Sequence, residues 1–110
     1  MSWAMVYKLV KQIPPGRVTT YGAVAKAIKL RGGARAAGYA MAACPRGQAI
    51  PWHRVVGAGG KIRIAEPAAS LQRRLLQSEG IEIEGLTLKI KQYGWAPKKR
   101  IPRRKKQPRA

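Results

Sequence analysis

Helix breakers divide this chain into pieces too short for any long element. Pro14-Pro15-Gly16, Gly32-Gly33, Pro45, Gly57-Ala58-Gly59-Gly60 and Gly80 interrupt it repeatedly. Proline cannot continue a helix, and glycine readily takes the left-handed backbone that ends one. The chain must therefore fold from short helices and strands, stable only when packed on one another. Its 110 residues suit one domain with a single core and no staples.

Between the breakers, periodicity predicts the elements. Met5, Val6, Leu9, Val10 and Ile13 form one apolar stripe, predicting a helix over about 3–13 that stops at Pro14. Thr19 or Thr20 can cap a second helix carrying Val24, Ala25 and Ile28. A third is expected over about 34–43, closing before Pro45, and the Gly turn between these two reads as a helix-turn-helix. Short strands are expected at 54–56 and 61–64, a helix at 68–79 ended by Gly80, and a strand or short hairpin over 81–90.

Lys and Arg number 23 against four acids, for a formal net charge of +19. The acids are all glutamates (Glu66, Glu79, Glu82 and Glu84), and Asp is absent. That excludes an Asp-containing catalytic triad, a Walker-B-type metal site and an EF-hand loop. A single Cys, Cys44, and a single His, His53, exclude a zinc finger, a CxxC motif and an internal disulfide. No cofactor and no bound metal are expected. A free Cys suits a reducing compartment, no apolar run is long enough to span a membrane, and Lys8 and Lys11 break any leader pattern. The expected setting is intracellular, cytoplasmic or nucleoid-associated, or nuclear in a eukaryotic host.

Residues 1–65 hold 11 of the bases and no acid, and residues 94–110 hold eight more. This is the electrostatic footprint of a polyanion binder, with nucleic acid ahead of a membrane surface because no long basic amphipathic helix is visible. Residues 1–95 are expected to form the domain. Residues 96–110, APKKRIPRRKKQPRA, read as a disordered cationic tail that cannot bury a core and would add non-specific affinity for phosphate.

Two segments invite a motif reading. Val55-Val56-Gly57-Ala58-Gly59-Gly60 mimics the opening of a dinucleotide fingerprint, but Ile62 stands where the last Gly belongs and Glu66-Pro67 where a long helix should start. A Gly-rich turn between strands explains it better. The informative run is Ile50-Pro51-Trp52-His53-Arg54-Val55-Val56. It resembles the Pro-Cys-His-Arg-Val motif of the O6-alkylguanine-DNA alkyltransferase family. Val18-Thr19-Thr20-Tyr21-Gly22 is similar to that family's lead into its helix-turn-helix, Ala34 to Met41 to its recognition helix, and Ser78-Glu79-Gly80 to the end of its last helix. The resemblance runs in order over about residues 3–85. Tyr93-Gly94-Trp95-Ala96-Pro97 resembles a segment found in some members.

The resemblance implies a mainly helical α/β fold, a single winged-helix-like domain with a helix-turn-helix and short strands. It also implies where the chemistry fails. The family's nucleophilic Cys corresponds to Trp52, and an indole offers no comparable nucleophile. Trp here is the mark of the alkyltransferase-like branch, which binds alkylated DNA without repairing it and passes the lesion to nucleotide excision repair. By the same resemblance His53 and Glu79 are a relay left without a thiol to activate. Tyr21 helps rotate the target nucleotide, and Arg35 fills the vacated space in the stack, a task that suits a planar guanidinium. The small residues of the third helix, Ala36 among them, allow close approach to a minor groove. The pocket is expected between Trp52, Tyr21, the Val55-Val56 backbone and the segment after Ile62. A base-sensing Arg of that segment corresponds to Ala65, which leaves Arg63 as the nearest candidate. No position follows for the larger Tyr39.

The function expected is that of a non-enzymatic sensor of O6-alkylguanine in duplex DNA, acting as a monomer, with excision-repair proteins as further partners. Two alternatives stay open. One is an active alkyltransferase using Cys44 as a displaced nucleophile, and the other is a general basic nucleoid protein with no lesion preference.

Overall fold

The computed structural model describes residues 3–45 and 49–96. Its elements are α1 (Ala4–Val10), β1 (Thr19–Thr20), α2 (Tyr21–Ala27), α3 (Gly33–Ala42), β2 (Val55–Val56), α4 (Ala68–Ser78), β3 (Ile83–Glu84), β4 (Thr87–Leu88) and α5 (Ile90–Tyr93). Apart from Ala96, the segment expected to form a cationic tail lies outside the described residues.

The breakers act where the sequence puts them, though more tightly than periodicity predicts. α1 ends at Val10, and the chain then winds into i→i+3 turns. The Gln12 and Ile13 amides donate to the Leu9 and Val10 carbonyls, each at 3.0 Å, ahead of Pro14. Ile13 stays buried, whereas Met5, counted in the apolar stripe, is exposed. Thr20 is the cap of α2, its Oγ1 accepting from the Ala23 amide at 3.1 Å. Residues 28–32 turn the chain into α3, with Gly32 at φ 92°.

Alanines let α3 pack closely. Ala36, Ala37, Ala40 and Met41 face inward, toward a core that includes Val6, Val10 and Ile13 around α1 and Val24 of α2. The Tyr7 hydroxyl donates to the Ala40 carbonyl at 2.9 Å and ties α1 to α3. A second cluster gathers Val18, Val56, Leu76, Ile81 and Leu88. The two residues of β2 point opposite ways, so Val55 enters the first cluster and Val56 the second.

β2 pairs in parallel with β1, in the register Thr19 with Val55 and Thr20 with Val56. This pairing sets the start of α2 beside the chain that follows Trp52. It also corrects the expected strand at 54–56, because Trp52–Arg54 form a 3-10 turn and only Val55–Val56 are extended. The expected strand at 61–64 is not formed. Lys61 makes only single bridges, to Gly57 and to Thr87, because a tight Gly turn leads into it and its partner β4 spans two residues. The 81–90 region is a hairpin, β3 with β4, turning at Gly85 (φ 61°) and Leu86. α5 was not expected. The strand-like residues ahead of β1 then receive the chain's last described segment, since Val18 donates to the Tyr93 carbonyl at 2.9 Å and accepts from the Trp95 amide at 2.7 Å.

The Gly-rich turn has two glycines with different duties. Gly59 (φ 77°) has open space around it, whereas a Cβ on Gly60 (φ 83°) would overlap the Leu88 carbonyl oxygen. Gly59→Ala should therefore cost only backbone strain, about 1 kcal/mol. Gly60→Ala should cost well over ~2 kcal/mol, because the turn must also leave β4. Denaturant midpoints of the two variants check this, and equal losses would refute the steric account.

Candidate functional site

One carboxylate organises the site. Glu79, at the C-terminal end of α4, takes Arg54 as a fork: Nη2 donates to Oε2 at 2.7 Å, and Nε donates to Oε1 and Oε2 at 3.1 and 3.2 Å. His53 Nε2 lies 2.8 Å from Oε2, and the Gly16 amide donates to Oε1 at 3.1 Å. Arg54 Nη1 also donates to the Ile13 carbonyl at 2.9 Å. Three segments therefore meet at one carboxylate, the Pro14-Pro15-Gly16 stop, the Trp52–Arg54 turn and α4, and Arg54 ties in the end of the α1 turn as a fourth. Burial alone would raise the Glu79 carboxyl. The hydrogen bonds from Arg54, His53 and Gly16 outweigh it and hold the group at about 2.

Gln72 fixes the other side of the same turn. It is 1% exposed, and its Nε2 donates to the His53 carbonyl at 3.0 Å and the Val55 carbonyl at 2.9 Å. These carbonyls bracket Arg54, so the turn is held by α4 from two positions a helical distance apart. His53 is left with its ring edge toward Trp52, centroids 6.1 Å apart and planes at 84°.

Trp52 then forms part of the wall of a cavity of about 760 Å³, a size that accepts a drug-sized ligand. Met41 and Ala42 at the end of α3 and Cys44 beyond it line one side, and Ile64, Pro67, Ala68 and Leu71 line the side made by α4 and the segment before it. The walls are mostly apolar. Cys44 shares the cavity with Trp52, and burial pushes its thiol up, away from the thiolate form.

A second surface lies along α3. Ala34, Arg35, Tyr39 and Ala42 are exposed, with Gly38 between them, and the spacing i, i+1, i+4, i+5, i+8 makes one stripe. Arg35 and Tyr39 are its two large members, and Tyr39 is 62% exposed. A Cβ on Gly22 would come within 3.9 Å of Ala34 Cβ, so the start of α2, with Tyr21, adjoins the start of α3, with Arg35.

The expected site residues therefore divide. His53 and Glu79 are in direct contact. Tyr21 and Arg35 flank the α2–α3 approach, and Trp52 lines the cavity. Tyr21, Val55 and Val56 do not line it. Val55 is fully buried in the core, so its contribution is through its backbone. Ala36 is buried, so its side chain packs the domain and does not belong to the outward stripe that carries Arg35. Arg63 does not line the cavity either. Its stem lies across Gly57, where an added Cβ would collide with its Cγ and Cδ, and the cavity takes the next residue, Ile64. Sequence reasoning missed Arg54, Gln72, Leu71 and Arg74. Gln72 could have been found as a polar residue on the face that carries Ala69 and Leu76, and Arg54 as the Arg of the matched Pro-Trp-His-Arg-Val run, but Leu71 and Arg74 look like ordinary surface positions until the chain folds.

The short parallel β1–β2 pair, with β1 leading into the packed helices α2 and α3, thus sets the Trp52–Arg54 turn beside an open cavity. The model of the 6-O-methylguanine DNA methyltransferase DNA-binding domain matches residues 2–81, and the chain belongs to that family. Within the family it is similar to proteins of the alkyltransferase-like type. A DNA base-flipping protein of Vibrio parahaemolyticus is 36% identical over 93 residues, covering 84% of this chain and 93% of its own. Alkyltransferase-like protein 1 of Schizosaccharomyces pombe is 34% identical over 102 residues, covering 86% and 94%. The crystal structure of S. pombe Atl1 with damaged DNA containing O6-carboxymethylguanine superposes with a TM-score of 0.78 at 33% identity, over 86% of this chain and 94% of that one.

The Glu79 carboxyl is held below its ordinary value of 4.5 at about 2. Its contribution to stability is complete above pH 4.5 and is lost as pH falls towards 2. Chemical denaturation across that window should show a loss of up to about 3 kcal/mol. Glu79→Gln should be destabilised at neutral pH, with the acid-dependent part of the loss flattened. A variant whose acid profile matches the parent would show that the clamp does not carry the effect.

Proposed function

We propose that this protein is a non-enzymatic sensor of O6-alkylguanine. It binds duplex DNA, turns the modified nucleotide out of the stack and holds the base in the cavity beside Trp52. The observation that carries this reading is the combination at Trp52: an open cavity with room for a base, a His53–Glu79 contact still in place, and an indole where a nucleophile would be needed. Binding is kept and transfer is not. The likeness to a base-flipping protein and to a protein solved with damaged DNA supports the same conclusion.

The mechanism follows from charge and shape. A formal charge of +19 draws the protein to any duplex through counterion release. The small-residue stripe of α3 approaches the minor groove closely and reads little sequence, which suits a protein that must scan. Tyr21 assists rotation of the nucleotide, and Arg35 occupies the space it leaves. The lesion, held in place, is then passed to excision-repair proteins, with the chain acting as a monomer in the cell interior.

The transfer reading has one observation in its favour, the presence of Cys44 in the same cavity. Incubation with O6-methylguanine duplex should leave the intact mass unchanged, while a titration shows tighter binding to that duplex than to its unmodified twin. A stoichiometric methyl gain mapped to Cys44 would make the protein an enzyme, and equal affinities would make it a general DNA binder.

The α3 stripe gives a sharper test. An added Cβ at Gly38 meets nothing within 4 Å, so Gly38→Ala should stabilise the fold by about 0.5–1 kcal/mol. Gly38→Leu should also fold, yet weaken all duplex binding by blocking the groove. Arg35→Ala should weaken lesion binding about tenfold or more, beyond its effect on plain duplex, since unstacking costs a few kcal/mol. If Arg35→Lys restores both duplexes equally, Arg35 is a phosphate contact instead.

A further inference from the structure

We infer that Arg74 selects the lesion: it faces the O6 substituent from the α4 wall of the cavity and favours substituents that end in an anion. This rests on the reading of the cavity as the base pocket, and adds to it a specificity residue outside the segment where one was expected.

Ala68, Leu71 and Arg74 recur at i, i+3 and i+6, which puts them along one face of α4, and all three line the cavity together with Trp52. Among the described lining residues Arg74 alone carries a charge. Among the described residues that charge has no acidic partner. All four glutamates of the chain are described, and both ion pairs fall on Glu79, to His53 and Arg54. Glu66, the acid nearest along the chain, is engaged locally, accepting from the Ser70 amide at 3.0 Å and the Ser70 hydroxyl at 2.9 Å. Position 65, at the mouth of the same segment, is an alanine and supplies no cation.

A guanidinium with no acidic partner, set above apolar walls, is a receptor for a carboxylate. Its planar fork matches a carboxylate in two parallel hydrogen bonds, and the low-dielectric wall strengthens them. Leu71, 46% exposed, sits one turn below and would cover the methylene stem of such a substituent. The chemical class selected is therefore an O6-alkyl group with a short apolar stem and a terminal carboxylate. A bare methyl would leave Arg74 in solvent and unused.

The test compares three duplexes, identical except for the guanine substituent: O6-methyl, O6-carboxymethyl and the neutral isostere O6-carbamoylmethyl. At low salt the parent protein should bind the carboxymethyl duplex about tenfold tighter than the carbamoylmethyl one, the scale of one charge-assisted pair. Arg74→Gln should bring that ratio close to one, with the loss falling on the carboxymethyl duplex well beyond any effect on the methyl one. Arg73→Gln is the control. Arg73 is the adjacent exposed cation of α4 and does not line the cavity, so its loss should leave the ratio intact. Four results overturn the assignment: no carboxymethyl preference in the parent, a preference that survives Arg74→Gln, equal collapse in Arg73→Gln, or a uniform loss on all duplexes in Arg74→Gln, which would make Arg74 a phosphate contact. Failure of the underlying reading looks different, since the parent would then bind the methyl duplex no better than plain DNA, and the assignment to Arg74 would fall with it.

Discussion

The carboxylate of Glu79 is the point on which the rest of the molecule hangs. A carboxylate drawn largely out of water is costly unless its oxygens are filled. Here the Arg54 fork, His53 Nε2 and the Gly16 amide fill both. The same contacts join the end of α4 to the stop after α1 and to the Trp52–Arg54 turn. In a chain with four acids and 23 bases, one acid closes two ion pairs and serves as the internal counter-charge. The other three glutamates lie toward the C-terminal half, leaving the surfaces of α1, α2 and α3 free of negative charge.

That economy of acids has a mechanical result. Arg54 and Gln72 hold the turn by its flank and backbone, and the Trp52 side chain both packs against the first core cluster and serves as a cavity wall. The cavity is bounded by the end of α3 and by α4, with the Trp52–Arg54 turn contributing Trp52 between them. The relation between binding and chemistry follows. A His–Glu contact that would serve a thiol elsewhere here supports the architecture, so its presence says nothing about catalysis.

Small residues do a comparable job on the other side. Ala36, Ala37 and Ala40 let α3 sit close to α1 and α2, while Ala34, Gly38 and Ala42 keep its outer face low. One run of alanine and glycine thus serves packing inward and access outward. Arg35 and Tyr39 rise from the low face one turn apart, which gives the large Tyr39 a definite position beside Arg35.

The sequence by itself determined the breakers, the caps and the apolar stripes, because these depend on neighbours within a turn or two. Thr20 as a cap and Gly80 in its left-handed conformation (φ 90°) are local properties. It also determined the charge and the indole at Trp52, which are matters of residue identity. The tertiary structure alone decided what is joined across distance. The β1–β2 pairing spans residues 19 to 56 and is too short to leave a periodic trace. The expected strand at 61–64 failed because strand formation depends on a partner, and β4 offers two residues. Ala36 went inward and Arg63 went across Gly57 for the same reason: residue type does not tell which face a side chain will show. The cavity is the clearest case. Cys44, Trp52, Leu71 and Arg74 are scattered along the chain, and only the packing of α4 against the Trp52–Arg54 turn makes them one wall.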